Sequence, residues 1–374
     1  MNYTTDFDRL LSDLDRRKPD PGTLVSKNAD ENAKKLFDYL KSIYGKAILA
    51  GQQYLQKEEL EDVVYWRAAK KLPAVRGYDL MDMDKKKGDD QIDRALKWAK
   101  DTGCIITLCW HWYAPDDLSD PENCVWSFYY KTTNYDRKTS FDLLKAVEPG
   151  TGEYDFAVSR IDKAALALRR FEKEGIPVLF RPLHEANGDW FWWGARKVGR
   201  AESIAAYKKL WYMIFDRVEN YHKLTNIIWV WNGQNKDMAI HPNTYDLCGE
   251  DIYSEKPNDH SSQKEKFAEL TSYTHGKMAA LSECGFIPAP EALIRDGAKW
   301  LWWLPWWGSF VYAVDGWRPM FDEKNFPFCN QKYLNEVFLS ETFRDPYCIT
   351  LDRLPFYKGD GSLPARFRDG SLEG

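Results

Sequence analysis

Residues 177–194 read PVLFRPLHEANGDWFWWG. The opening PVLF is a short apolar run of the kind found in strands buried on both faces. It stops at Pro182 and gives way to a polar, glycine-containing and tryptophan-rich stretch. A buried strand that ends on such a loop is what an α/β barrel presents at its C-terminal face, where reactive groups stand. Similar runs recur on either side of it: 46–52 (KAILAGQ), 73–79 (PAVRGYD), 104–111 (CIITLCWH), 226–231 (NIIWVW), 246–253, 277–282 and 300–304. Between them lie stretches with apolar residues at three- and four-residue steps, at 58–71, 91–100, 162–174, 202–222 and 262–275. Strands alternating with amphipathic helices predict parallel pairing, and eight of them predict a (β/α)8 barrel of the α/β class. An open doubly wound sheet would place a glycine-rich phosphate loop after its first strand, and 50–54 reads AGQQY instead. The barrel is expected as a single catalytic domain over 28–345. The charged, proline-containing 1–27 and the polar 346–374 are expected as terminal extensions, wrapping or leaving it.

The 374 residues are 44% hydrophobic and 29% charged, enough to bury a large core. Lysine plus arginine number 52 against 57 acidic residues, a net charge of −5, so no basic field exists to attract nucleic acid or anionic lipid. Aromatic residues make up 15%, with 17 Trp, more than a core requires and of the type that stacks on sugars. No apolar run is long enough for a membrane span, and residues 1–20 lack a signal-peptide pattern. A cytoplasmic location is expected as the sequence reads, or a secreted one if the N-terminus was trimmed. The seven scattered cysteines show no zinc spacing and are expected to be reduced and buried.

The ends of the apolar runs carry Trp110-His111-Trp112, His184-Glu185-Ala186-Asn187, Asp251-Ile252-Tyr253, Ser282-Glu283-Cys284 and Trp303-Leu304-Pro305-Trp306-Trp307. Strands four and seven face one another across a barrel, so Glu185 and Glu283 are expected at one pocket. Two carboxylates among aromatic rings are what glycosidic hydrolysis needs, one to protonate the departing oxygen and one to face the anomeric carbon. Trp229, Trp231, Trp300 and Trp302 sit within strands and are expected as core filling; Trp190, Trp306 and Trp307 follow strand ends and are expected at the cleft. The long 113–156 stretch is expected as a lid or cleft wall.

The segment 181–194 resembles the acid/base motif of glycoside hydrolase family 26, in its β-mannanase branch. Further similarity lies in 43–52, 73–79, the Trp-His of strand three, 228–232, 249–253 and 281–285, so that it spans roughly 32–310. The resemblance implies a retaining endo-β-1,4-mannanase acting on mannan, glucomannan or galactomannan, with Glu185 as acid/base, Glu283 as nucleophile and no cofactor. It places substrate contacts on His111 and Tyr253, with Tyr253 hydrogen-bonding Glu283. His184 and Asn187 would orient Glu185 or the substrate, Trp190 and Trp306 would wall the cleft, and Asp251 would contact substrate or support its loop.

Family relatives acting on mixed-linkage β-glucan or β-1,3-xylan, or an exo-acting mannobiohydrolase, remain alternatives. A divalent-metal hydrolase would use His111, His184, Glu185 and Glu283. Strict strand alternation argues against it, because neighbours such as His184 and Glu185 would point to opposite faces, and no metal is expected.

Overall fold

The computed structural model describes residues 3–83, 91–368 and 372. Eight parallel strands follow one another around the molecule: β1 (Gly51–Gln53), β2 (Val75–Asp79), β3 (Ile105–Cys109), β4 (Val178–Arg181), β5 (Ile227–Trp231), β6 (Leu247–Ile252), β7 (Met278–Cys284) and β8 (Trp303–Pro305). The ring is brought to closure by Leu49, whose N–H donates to the Leu301 carbonyl at 3.0 Å and which bridges in parallel to Trp302. The expected (β/α)8 barrel is therefore present, with strand eight starting later than the apolar run 300–304 suggested.

Helices Leu60–Ala69, Gln91–Thr102, Gly152–Lys173, Arg200–Asp216 and Lys264–Tyr273 cover the outside. The third begins well before the expected residue 162, because the Thr151 side chain caps it by accepting from the Tyr154 N–H. Outward-facing strand residues fill the layer beneath the helices. Trp229, Trp231, Trp300 and Trp302 are fully buried, as expected of core residues. Three of these rings also find acceptors, on the Glu219 carboxylate (2.8 Å), the Tyr207 hydroxyl (2.9 Å) and the Ser262 carbonyl (2.9 Å).

The boundaries at 28 and 345 do not mark the edges of the core. Helix Phe7–Asp15 buries Leu10 and Leu14, and the Val25 N–H donates to Asp246 at 2.7 Å. Downstream, Cys348–Ile349 pairs in parallel with Ile48–Leu49, and Leu351, Leu354, Leu363 and Phe367 are buried. The expected extensions thus wrap the barrel; 369–371 and 373–374 lie outside the described residues. All seven cysteines are free and all but Cys124 are buried. Among the described residues no helix is long and apolar enough to cross a membrane.

Gly51 sits where the first and last strands pass. A Cβ there would meet the Trp303 carbonyl oxygen at 2.3 Å, a backbone atom that cannot rotate away. Gly51→Ala is expected to lower unfolding stability by about 1–3 kcal/mol through forced separation of the closing strands. Urea denaturation measures this, and an unchanged midpoint would show that the closure tolerates a side chain.

Candidate active site

The mouth of the barrel is organised by Arg181, the last residue of β4, whose side chain is 1% exposed. Its guanidinium reaches across the barrel, one nitrogen 2.8 Å from Asp251 Oδ2 and the other ion-paired with Glu283 Oε1. Glu283 Oε2 accepts from the Tyr253 hydroxyl at 2.9 Å, the contact that the resemblance implied. Asp251 is further held by the Asn232 amide at 2.9 Å and the Ser282 hydroxyl at 2.6 Å. Carboxylate oxygens of Glu185, Asp251 and Glu283 all lie within 4.8 Å of one another.

Both glutamates reach this cluster by departing from regular strand geometry. On β7, Leu281 pairs with Glu250 while Glu283 pairs with Asp251, so one extra residue is accommodated between them. This bulge lets consecutive residues, Ser282 and Glu283, both face the interior cluster. After β4 the chain turns at Pro182, and Leu183 (φ 53°) and Glu185 (φ 51°) adopt the left-handed conformation that non-glycine residues avoid. The Glu185 N–H is pinned by Asn232 Oδ1 at 2.8 Å, and the His184 carbonyl by the Trp193 indole at 3.0 Å. The alternation argument against His184 and Glu185 both facing the site therefore fails, because they lie beyond the strand. Asp251 and Glu283 already share the Arg181 cation, which meets the charge that a metal would otherwise supply.

Burial, then the charges of Asp251 and Glu283, push the Glu185 carboxyl well above the ordinary carboxylate range, with Arg181 and the Trp190 hydrogen bond opposing. Burial also raises Glu283, against the pull of Arg181. The larger push falls on Glu185, which among the described residues is ion-paired with no cation. Its Oε2 accepts from the Trp190 indole at 2.9 Å. Gly188 permits that contact, since a Cβ there would meet the Trp190 ring at 2.3 Å.

A second polar chain lies beside the first. His111 Nδ1 is 2.5 Å from Asp79 Oδ2, and His111 Nε2 is 3.3 Å from His184 Nε2. Burial opposes ionisation of Asp79, but the His111 ring and the His111 and Met81 N–H groups outweigh it and hold its pKa low. Burial, then His111 and Arg181, keeps His184 neutral, well below the usual histidine range. Both His111 nitrogens are thus engaged, which leaves its ring edge rather than a free nitrogen for a sugar. Among the described residues the His184 ring meets His111 and makes no hydrogen bond to Glu185. Asn187 meets Gln234 at 3.5 Å and likewise stands apart from Glu185, whose orienting residue is Asn232. Asp251 faces Arg181, Asn232 and Ser282 with its side chain fully buried, so it supports the site and does not line open space. Trp306 is half-buried, its ring 5.6 Å from His111, and Trp190 is half-buried over Glu185. Trp307 is half-buried beside Trp306.

The model of glycosyl hydrolase family 26 matches residues 25–322. The chain belongs to glycosyl hydrolase family 26. A mannan endo-1,4-beta-mannosidase of Thermothelomyces thermophilus is 33% identical over 339 residues, covering 89% of this chain and 63% of the relative. Mannan endo-1,4-beta-mannosidase A of Piromyces sp is 32% identical over 350 residues, covering 90% and 51%. The chain therefore spans between half and two-thirds of the length of these curated relatives. The crystal structure of a β-mannanase from a symbiotic protist of the termite Reticulitermes speratus, complexed with gluco-manno-oligosaccharide, superposes with a TM-score of 0.74 at 29% identity, covering 89% of this chain and 98% of that one.

Within this family 26 barrel, sequence reading passed over Arg181, Asn232, Ser282 and Asp79 as site residues. Each lay in a stretch already marked as similar to the family, and the usable signal was a polar residue inside or ending an apolar strand, which must find a buried partner. Arg181→Met is expected to cost about 3–5 kcal/mol at pH 7, because Asp251 and Glu283 would be left as unpaired buried charges. The Glu283 carboxyl, already raised by burial, would lose the cation that opposes the rise, a penalty present at neutral pH and relieved as pH falls toward the ordinary carboxylate range near 4. Urea unfolding at pH 7 and pH 5 tests this; a deficit that does not shrink at pH 5 contradicts it.

Proposed function

We propose that this chain is a retaining endo-β-1,4-mannanase, acting on mannan, glucomannan or galactomannan, with Glu185 as general acid/base and Glu283 as nucleophile. The observation that carries the reading is the approach of the Glu185 and Glu283 oxygens to within 4.8 Å. Double displacement needs carboxyl groups about 5–5.5 Å apart, whereas an inverting enzyme needs about 6.5–9.5 Å to admit a water between them. The names of the curated relatives and the gluco-manno-oligosaccharide in the termite-protist structure support the substrate class.

In the first step Glu283 attacks the anomeric carbon while Glu185 gives its proton to the departing oxygen. The glycosidic C–O bond breaks and a glycosyl ester forms on Glu283. Esterification removes one of the negative charges that raise the Glu185 pKa, so Glu185, now ionised, is better able to remain so. In the second step it takes a proton from water, the water oxygen attacks the anomeric carbon, and the ester bond to Glu283 breaks. Arg181 and Tyr253 face the Glu283 oxygens throughout and stabilise the carboxylate as it departs.

Glu283→Ala is expected to abolish turnover on every substrate. Glu185→Ala should retain reaction on aryl glycosides with an activated leaving group and recover with azide, which attacks the glycosyl ester without needing a base. Equal and unrescued loss in both variants would contradict the assignment. The product profile from mannohexaose tests endo action, and release of reducing sugar from lichenan or β-1,3-xylan alone, with none from glucomannan, would sink the mannan reading. Trp190→Phe removes a donor to ionised Glu185, so the alkaline limb of the pH–kcat/KM profile should move to higher pH. A shift to lower pH would mean that Glu185 does not set that limb.

A further inference from the structure

The 113–156 stretch between β3 and the helix Gly152–Lys173 is fastened to the loop that carries Glu185. The Tyr130 N–H donates to the Trp190 carbonyl at 2.7 Å, the Trp192 N–H to the Phe128 carbonyl at 3.1 Å, and Tyr129 bridges antiparallel to Phe191. The Thr132 hydroxyl adds a bond to the Asp189 carbonyl at 3.3 Å. Segments 128–132 and 189–192 thus behave as one wall of the cleft.

Four rings run through that wall in near-parallel succession. Trp193 and Phe191 lie 4.5 Å apart at 22°, Phe191 and Tyr129 5.8 Å apart at 18°, and Tyr129 and Tyr135 3.7 Å apart at 14°. Burial falls along the ladder, from Trp193, fully buried, to Tyr135, 52% exposed. The outermost ring is therefore held flat by the ring behind it and is half exposed to solvent. A rigid, supported aromatic face loses little entropy on contact and suits the apolar C–H face of a pyranose, whereas a lone mobile tyrosine would not.

We propose that Tyr135, backed by Tyr129, is a stacking subsite for the leaving-group portion of a β-1,4-linked mannose-containing chain; this rests on the mannanase reading above. The side follows from chemistry. Glu185 protonates the departing oxygen, Trp190 is hydrogen-bonded to Glu185, and the ladder is fastened to the backbone of Trp190 and Phe191. The wall therefore continues from the acid, toward the sugars that leave, and not from Glu283.

The test compares wild type and Tyr135→Ala on mannohexaose and on an aryl β-mannobioside, whose leaving group carries no sugar. The kcat/KM for mannohexaose should fall more than that for the aryl substrate by a factor of about 3 to 10, the size of one aromatic contact, and Tyr135→Phe should restore it. Tyr135→Leu, which keeps apolar bulk without a flat face, should behave as alanine does and serves if the alanine variant does not fold. Equal factors on the two substrates, including no loss on either, overturn the subsite. A larger loss on the aryl substrate overturns the leaving-group side. Wild type releasing nothing from mannohexaose while hydrolysing another β-glycan is the failure of the mannanase reading itself, and removes this inference with it.

Discussion

A single buried guanidinium sets the terms for the rest of the barrel mouth. Arg181 leaves β4 and ties together Asp251 on β6 and Glu283 on β7, strands that are not its neighbours in the sheet. Its fork satisfies two carboxylates at once, which a lysine ammonium could not do with the same geometry. With three carboxylates close together and this one cation bonded to two of them, the remaining acid is the one driven to keep its proton. The roles proposed for Glu185 and Glu283 follow, in this sense, from where Arg181 points.

Bringing the two glutamates to that cation required breaking strand geometry twice, by a bulge before Glu283 and by left-handed residues around Glu185. Each left-handed non-glycine residue costs of order 1–3 kcal/mol and persists only where its surroundings over-determine it. Here Asn232 supplies that constraint, holding the Glu185 N–H with its oxygen and Asp251 and Ser282 with its amide. One side chain on β5 thus couples the backbone at Glu185 to the carboxylate network around Glu283.

The eight strands were legible because each is an apolar run that ends abruptly, and Glu185, Glu283, Tyr253, Trp190 and Trp306 were legible because they follow those ends. What escaped reading has physical causes. A two-residue strand such as Cys348–Ile349 cannot display a period, and the buried Leu351, Leu354, Leu363 and Phe367 are spaced within a polar, proline- and glycine-rich stretch that looks like a tail. The bulge on β7 leaves no mark in composition, so alternation misjudges which of Ser282 and Glu283 faces inward. His184 and Asn187 stand beside Glu185 in sequence, but adjacency along a turn does not fix contact, and the partner that holds Glu185 comes from 47 residues further along.

A second buried arginine shows why perturbed ionisation alone does not identify an active site. Arg76, on the opposite face of β2 from Asp79, is ion-paired with Glu59 and Asp62 and packs against the Trp98 and Tyr54 rings at 3.6 and 3.9 Å. Arg94 also reaches Glu59 at 3.0 Å, and Arg366 lies 4.0 Å from Glu59 and 3.9 Å from Asp62. Burial opposes ionisation of both acids; Arg76 and Arg94 outweigh it at Glu59 but Arg76 does not at Asp62, and the cluster serves to fasten helix Leu60–Ala69 and the C-terminal segment to the barrel. Burial, with smaller pushes from neighbouring carboxylates, lifts the pKa of Glu61 and Glu219 to about 7, yet neither stands at the mouth of the barrel. Proton transfer to a substrate needs an acid that keeps its proton beside one that does not, and it needs both within reach of that substrate. The Arg181 cluster offers such a pair at the mouth of the barrel, whereas the Arg76 cluster, with chemically similar groups, holds its raised Asp62 and lowered Glu59 among fully buried side chains.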